Sequence, residues 1–492
     1  MKDKYKFKDK IDPTISGISQ KTIHKIIQAW YDSGNAPPTI KPDIPEKDQQ
    51  LLISQIKSCI TNTGGEISHQ AKLIHLAMIY INSSEQGKKV FLKILAYEFD
   101  VDLDFLSKKI EKLSIIDKET PERIQAEIEL TNNLIPPRVT FLEQLSTLPN
   151  GFIFLKDMRE FLLLHIKEIP RLQKLDNDIH SILKSYFDIN LLKLREISWE
   201  SPASTLEHLI NYEAVHEIKS WKHLKHRLFS DHIMFGFFHP TMPYDPLIFV
   251  EVALVKGLAD NIQKLIELDS EHGNPDDADT AIFYSISSTQ KGLRGISFGN
   301  FLIKRVVKRI SSDYPGIKNY ATLSPIPLFS KWLIKHLEEG GKPLCKKSEI
   351  EKIIKISDNS DVNKSILMML KTENWHQNNE ITSALRIPLL RLALHYLTTV
   401  KRHGKFNAYD PVANFHLSNG AEIGQLNWLG DISENGLNQS FGIMANYRYA
   451  RNRIVENHES YMTKGEVNVT KNIFKNQIFG GVKNIIIKKE SK

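Results

Sequence analysis

The hydrophobic pattern of this chain changes period near residue 188, and that change divides it into two separate folding problems. From about residue 49 to 187 apolar side chains recur at helical spacing. Leu73, Leu76, Ala77 and Tyr80 share one face, as do Phe91, Ile94 and Leu95, and Leu106, Ile110 and Leu113 repeat the spacing with lysines and glutamates opposite. From residue 188 onward, LLKLREISW alternates apolar with polar positions, as a half-buried strand does. SPASTLEHLINYEAV then reads as a helix with a serine placed to cap it. HIMFGFFHPTMPYDPLIFVEVALVKG reads as two strands around a proline-bearing turn, AIFYSISST as a strand, FLIKRVVKRI as a helix and NYATLSPI as a strand. Strands alternating with helices in this order predict a mixed α/β domain. The expected organisation is a lead-in and helical bundle over residues 1–187, then an α/β domain over residues 188–492. The lead-in, loosely structured to about residue 48, ends in PPTIKPDIPEKDQQ, whose prolines oppose a continuous helix. A helical insertion of about 75 residues, from LFSKWLIKHLEE to HYLTTVKRHG, interrupts the second domain.

At 492 residues, 41% hydrophobic and 25% charged, the chain has the make-up of a soluble protein of two or three domains. It holds no apolar run of the roughly 18 residues that a membrane span requires. MKDKYKFKDKIDPTISG is lysine-rich without an apolar core, so no secretory signal is expected there, and KKESK is not a peroxisomal address. A cytoplasmic location is the expectation. The net charge of +7 is spread among alternating acids and bases, as on solvated helix faces, and no recognition motif accompanies it; nucleic acid is not an expected partner. Cys59 and Cys345 build neither a disulfide framework nor a zinc motif.

Three segments carry usable chemistry. Gly292, Gly295 and Gly299 stand between a strand ending near Thr289 and the helix of Phe301, Leu302, Val306 and Val307. Such a turn lets backbone approach a ligand, and free amides at a helix start attract phosphate oxygens. The spacing is neither a P-loop nor a dinucleotide fingerprint. Ser324, in ATLSPIP, precedes Pro325 and is pushed towards extended geometry; no G-x-S-x-G elbow surrounds it. His416, in Asn414-Phe415-His416-Leu417-Ser418, sits in an alternating segment read as a strand, its side chain opposite to Phe415 and Leu417. Singly, these are also an ordinary connection, an ordinary turn and an ordinary structural histidine. Together, a hydroxyl, an imidazole and a phosphate cradle point to acyl-coenzyme chemistry, provided the insertion loops out so that Ser324 and His416 meet. Two other patterns fail. Asp100, Asp102 and Asp104 begin like a calcium loop, but Phe105 occupies the place of the required glycine. His223 and His226 have no third ligand nearby, and no catalytic metal is expected.

The strings AIFYSIS, LSPIP, NFHLSNGA and MANYRY, in that order between about residues 188 and 450, resemble the malonyl-CoA decarboxylase family. The helical half resembles that family's helical domain more weakly. The resemblance implies a catalytic domain of the GNAT acyltransferase fold. It implies that Arg294, Gly295, Ile296, Ser297, Phe298, Gly299 and Asn300, with Ile303, contact the coenzyme portion of malonyl-CoA. It also implies that Ser324 and His416 form a catalytic, substrate-contacting pair, and that the chain assembles through its helical domain, often as a homotetramer. Ser297 replaces an acidic residue of some relatives, and Leu328 stands where relatives commonly have glycine. On this reading Ser324 orients the malonyl group and His416 protonates the carbanion left by CO2. No cofactor is needed, because the thioester is itself the electron sink. Two rivals are an acyl-CoA-dependent N-acyltransferase, which needs an amine-acceptor site, and a non-catalytic acyl-CoA-binding scaffold.

Overall fold

The computed structural model describes residues 39–61, 65–187, 191–270, 272–296, 301–471, 473 and 485–487. The chain forms two compact units, Met1–Leu191 with Gln290–Ser297, and Leu192–Thr289 with Phe298–Lys492. Most of the expected lead-in, residues 1–38, lies outside the described residues.

The first unit is helical among its described residues: α1 (Glu46–Ile60), α2 (Glu66–Asn82), α3 (Glu85–Glu98), α4 (Leu103–Ile115), α5 (Pro121–Asn133), α6 (Pro137–Ser146), α7 (Gly151–His165) and α8 (Leu172–Tyr186). The stripe of Leu73, Leu76, Ala77 and Tyr80 on α2 is buried, as are Phe91, Ile94 and Leu95 on α3. The calcium-like aspartates have other work. Asp102 caps α4, its Oδ1 accepting the Phe105 N–H at 3.0 Å. Asp100 receives Arg138 at 2.8 Å, Arg171 at 2.9 Å and Lys174 at 3.0 Å. Burial alone would raise its pKa, but the hydrogen bonds from Arg138 and Lys174 outweigh burial and hold the carboxyl well below the usual carboxylate range. The stripe expected on α4 behaves differently: Leu106 is buried, yet Ile110 is 53% exposed. Among the described residues α5 buries no side chain at all.

The second unit comprises β1 (Lys193–Ile197), α9 (Ala203–Tyr212), α10 (Trp221–His226), β2 (His232–Phe238), β3 (Pro246–Val255), α11 (Gln263–Ile266), β4 (Thr280–Ser288), α12 (Phe301–Asp313), β5 (Asn319–Thr322) and β6 (Ser324–Pro325). It continues with α13 (Phe329–Glu338), α14 (Lys347–Ser357), α15 (Val362–Lys371), α16 (Asn379–Thr399), α17 (Pro411–Ser418), β7 (Glu422–Asn427), α18 (Glu434–Ser440), β8 (Met444–Arg448), α19 (Ile454–Lys464), β9 (Val467–Val469) and β10 (Ile485–Ile487). One mixed sheet runs in the order β1-β2-β3-β4-β5-β8-β7-β9-β10, with β6 paired to β8. β1 to β4 are antiparallel, and β2 is buried at every position, which explains its unbroken apolar run HIMFGFF. β4 and β5 are parallel, paired from Thr280↔Asn319 to Phe283↔Thr322. Helices α13 to α16 form the insertion expected between Ser324 and His416.

Two local readings are corrected. The N-cap of α9 is Pro202, with no side-chain cap, and Ser201 instead accepts the Ser198 N–H at 3.1 Å. More consequentially, NFHLS is the end of helix α17 and not a strand. Asp410 caps that helix, its Oδ1 accepting the N–H groups of Val412 at 2.9 Å and Ala413 at 3.0 Å, and Pro411 occupies the first turn. A capping aspartate followed by proline starts a helix, and this outweighs five residues of apparent alternation.

Candidate active site

Ser324 is placed by a strand pair and His416 by a helix. β6 aligns Ser324 with Ala445 on β8, while α17, fixed by its Asp410 cap, carries His416 in its last turn. The insertion does loop out: Ser324 Oγ lies 3.2 Å from His416 Nε2, although 92 residues separate them in the chain. Both side chains are buried.

The other partners fix the direction of the network. Ser324 Oγ donates to Thr322 Oγ1 at 2.8 Å. With that proton committed, the hydrogen between Ser324 and His416 belongs to Nε2, and Nδ1 accepts from the Tyr449 hydroxyl at 2.8 Å. Thr322 Oγ1 also accepts the Tyr447 N–H at 3.1 Å, and its carbonyl accepts from Asn446 Nδ2 at 2.7 Å. Consecutive residues of β8 thus hold the threonine that holds the serine. The Tyr447 ring lies nearly parallel to the imidazole, with centroids 4.7 Å apart and planes 21° apart. Burial pushes the His416 pKa down to about 3, so the resting ring is neutral, and burial pushes the Tyr449 phenol well above its ordinary value. Asp410 is also enclosed, and burial raises its pKa against the opposing pull of the N–H groups it accepts.

Tyr449 links this pair to space. It lines a cavity of about 280 Å³ with Ile303, Lys304, Val307, Lys308, Ser311, Arg451 and Ile454. Ile303, expected beside a coenzyme, is therefore on the wall of the cavity bounded by the histidine's own partner. A larger cavity of about 890 Å³ is lined by Glu213, Glu217, Glu267, Asp269 and Asp431 among others, but not by Ser324 or His416; its acids repel an anionic thioester.

The glycine-rich turn belongs to the helical unit in its described part. Gly292 packs on α7 so closely that a Cβ would lie 2.1 Å from the Lys156 carbonyl oxygen, and Gly295 has φ +84°. Lys156 Nζ donates to Gln290 Oε1 at 2.6 Å, and Arg159 Nη1 donates to the Gly292 carbonyl at 2.7 Å. Ile296 is buried and Arg294 exposed. Ser297, Phe298, Gly299 and Asn300 lie outside the described residues.

Sequence reasoning missed Tyr449, Thr322 and Asp410. Tyr449 ends the MANYRY string, which carried the family resemblance without being given a role, and Thr322 lies two residues before the serine. The Asp410-Pro411 pair was a readable helix start.

The comparisons with known proteins agree with one another. The family model of the malonyl-CoA decarboxylase C-terminal domain matches residues 190–487, and that of the N-terminal domain matches residues 99–187. The mitochondrial malonyl-CoA decarboxylase of Mus musculus is 36% identical over 455 residues, covering 89% of this chain and 88% of its own length. That of Anser anser anser is 34% identical over 400 residues, covering 78% and 79%. Among solved structures, malonyl-CoA decarboxylase from Rhodopseudomonas palustris superposes with a TM-score of 0.78 at 37% identity, over 87% of this chain and 99% of that one. The Agrobacterium vitis enzyme gives 0.76 at 35% identity, over 87% and 100%. Matched over both of its halves in sequence and in fold, this chain belongs to the malonyl-CoA decarboxylase family.

Proposed function

We propose that the chain is a carboxy-lyase converting malonyl-CoA to acetyl-CoA and CO2, with Ser324 and His416 as its catalytic pair. The observation that carries this reading is the 3.2 Å approach of Ser324 Oγ to His416 Nε2 beside the cavity wall of Tyr449 and Ile303. When CO2 leaves, its bonding electrons remain on the neighbouring carbon and spread into the thioester as an enolate. The protein has to hold the carboxylate out of the enolate plane and return a proton to carbon. Ser324 orients the malonyl group by hydrogen bonding. His416, on whose Nδ1 the Tyr449 hydroxyl fixes the ring, delivers the proton. A positioned proton donor contributes ~10²–10⁴-fold in rate.

Arg294 to Asn300 and Ile303 contact the coenzyme in this reading. The basic Lys304, Lys308 and Arg451 around the small cavity suit its phosphates, and the end of β4–β5 pairing at Phe283 and Thr322 suits the GNAT arrangement, in which a thioester chain enters between two parallel strands. Residues 1–187 serve as the assembly domain of a homotetramer and residues 188–492 as the catalytic domain; the apolar side chains exposed on α4 and α5 support the first assignment. Among the described residues no helix is long and apolar enough to cross a membrane. We keep the cytoplasm as its compartment; the mouse and goose relatives are named as mitochondrial, and fractionation of the native cells decides between the two.

Purified protein incubated with malonyl-CoA alone should release acetyl-CoA and CO2. An N-acyltransferase would leave the thioester intact without an amine acceptor, and a binding scaffold would retain it unchanged; either outcome overturns the proposal.

A further inference from the structure

At the head of β2, Asp231 and His232 are buried side by side, and the segment after α11 brings His272 to them. Asp231 Oδ1 lies 2.9 Å from His232 Nδ1 and 2.7 Å from His272 Nδ1, while Oδ2 accepts the Gly273 N–H at 2.7 Å. One ligand atom from each of the three residues falls within 4.8 Å of the other two.

The far side of the His232 ring decides what occupies the near side. His232 Nε2 faces the Leu265 carbonyl oxygen at 3.0 Å. A carbonyl only accepts, so Nε2 carries the hydrogen. In the neutral ring Nδ1 is then a bare lone pair aimed at a carboxylate oxygen, two acceptors facing each other in a buried place. A second proton or a metal cation has to stand between them. The His226 ring packs against the cluster, 4.3 Å from His272 and 6.0 Å from His232, and adds a third imidazole beside the carboxylate. A single metal ion between Nδ1 and the carboxylate oxygen accepts a lone pair from each. An imidazole that ligates through one nitrogen and donates from the other to a backbone carbonyl is the usual outer-shell support of a metal-bound histidine.

We propose that Asp231, His232 and His272 bind one divalent transition-metal ion, zinc by preference, through Oδ1 and the two Nδ1 atoms. Two imidazole nitrogens and a carboxylate oxygen form a borderline donor set that suits zinc and not calcium or magnesium. Bonds of about 2.1 Å in a tetrahedron place ligand atoms about 3.4 Å apart, so the two separations from Oδ1, 2.9 and 2.7 Å, open by about 0.5–0.7 Å, and the two Nδ1 atoms already lie within 4.8 Å of each other. His272, with its side chain 24% exposed, gives the ion a route in. The role is structural: the ion fastens the segment after α11 to the start of β2, and the decarboxylation proposed at Ser324 and His416 makes no use of it.

The test uses full-length protein purified without a nickel column and stripped with a chelator. On titration with Zn2+ it should retain about one ion per chain through dialysis and gain thermal stability, and Co2+ should give the visible d–d bands of an ion bound by nitrogen. His272→Ala should weaken zinc affinity by at least ~100-fold, beyond the roughly 10–100-fold cost of losing an outer-shell partner. His272→Gln, which keeps a hydrogen bond to Asp231 without an imidazole, should do the same while preserving the fold. Zinc retention by wild type no greater than that of His272→Gln, or the same cobalt spectrum in both, overturns the proposal and leaves a protonated carboxylate–imidazole cluster.

Discussion

His416 is neutral at rest because of its own burial, holding one hydrogen on Nε2, and the charge of the substrate governs whether the ring takes up a second proton from solvent. A malonyl carboxylate brought to within a few ångströms supplies the negative charge that favours protonation of the ring, reversing the effect of desolvation. Replacing His416 with Ala should lower kcat by ~10²–10⁴-fold while coenzyme A affinity changes little, as steady-state rates and titration calorimetry would read; wild-type turnover would remove the histidine from the chemistry. Tyr449→Phe keeps the ring and removes only the hydroxyl on Nδ1. It should cost about tenfold in kcat with KM nearly unchanged, the scale of one ordinary hydrogen bond of ~1–1.5 kcal/mol. An unaltered kcat would mean that the hydroxyl does not orient the imidazole. Burial also makes His416 an acid-labile element. Its folded pKa of about 3 lies below the unfolded value near 6.5, and burial likewise lowers His75 to about 4. Below pH ~6.5 the unfolded chain therefore binds protons that the folded chain refuses. The stability these rings contribute is present above that pH and is lost as pH falls towards 4, by up to roughly 1.4 kcal/mol per unit for each group. Thermal unfolding from pH 7.5 to 4.5 should show this slope, and His416→Gln should flatten it; an identical slope would assign the acid sensitivity to other groups.

At the scale of elements, the helices of residues 49–187, the insertion and most strands of the sheet were legible in the sequence, because long apolar periods and turn residues specify them locally. Helix α17 was not, because five residues of alternation fit a strand and a helix face equally well. Its identity lies in the ends: Asp410-Pro411 at the start and Gly420 after the finish, where φ is +84° and a Cβ would meet the Ile454 carbonyl oxygen at 2.1 Å. The site was legible unevenly for a related reason. Ser324 and His416 stand in strings that resemble a known family, whereas the contact of Tyr449 with His416 exists only after β8 is laid beside β6. The cap of α17 is thus both a stability element and a positioning one. Asp410→Ala should cost ~1 kcal/mol of stability, since two N–H groups lose their acceptor, and should lower kcat by letting His416 drift from Ser324. Asp410→Asn offers the same acceptor oxygen without a buried charge and should restore both; if it rescues stability but not kcat, the carboxyl takes part in the chemistry. In the helical unit, Gly292→Ala drives a methyl into the Lys156 carbonyl, a backbone atom that cannot turn aside. Thermal melts should record the loss of stability, and a raised KM for malonyl-CoA should accompany it if the turn holds the coenzyme.

At the scale of the whole molecule, one hairpin leaves its apolar side chains uncovered. A helix in water draws most of its stability from burying one face, yet α5 buries no side chain among the described residues, and α4 buries only Leu106. Leu103, Phe105, Ile110 and Ile115 on α4, Ile124 and Ile128 on α5, and Leu134 and Ile135 just after it are each more than two-fifths exposed. Local ties hold the pair together, among them Lys109 Nζ to Glu129 at 2.7 Å and Arg123 Nη1 to the Leu113 carbonyl, but a partly exposed ion pair of this kind contributes little. On the homotetramer proposed above, these side chains would meet the same surface on a second copy, as a closed homo-oligomer allows. The double variant Ile124→Lys, Ile128→Lys places charge on that surface without entering any buried core. Sedimentation velocity should find wild-type protein as a tetramer and the variant as smaller species, with unchanged far-UV circular dichroism. Because no residue proposed for the chemistry lies on this hairpin, the dissociated variant should still release acetyl-CoA from malonyl-CoA. A variant that sediments as wild type would move the assembly surface elsewhere, and a monomeric wild type would leave the helical half without the role assigned to it.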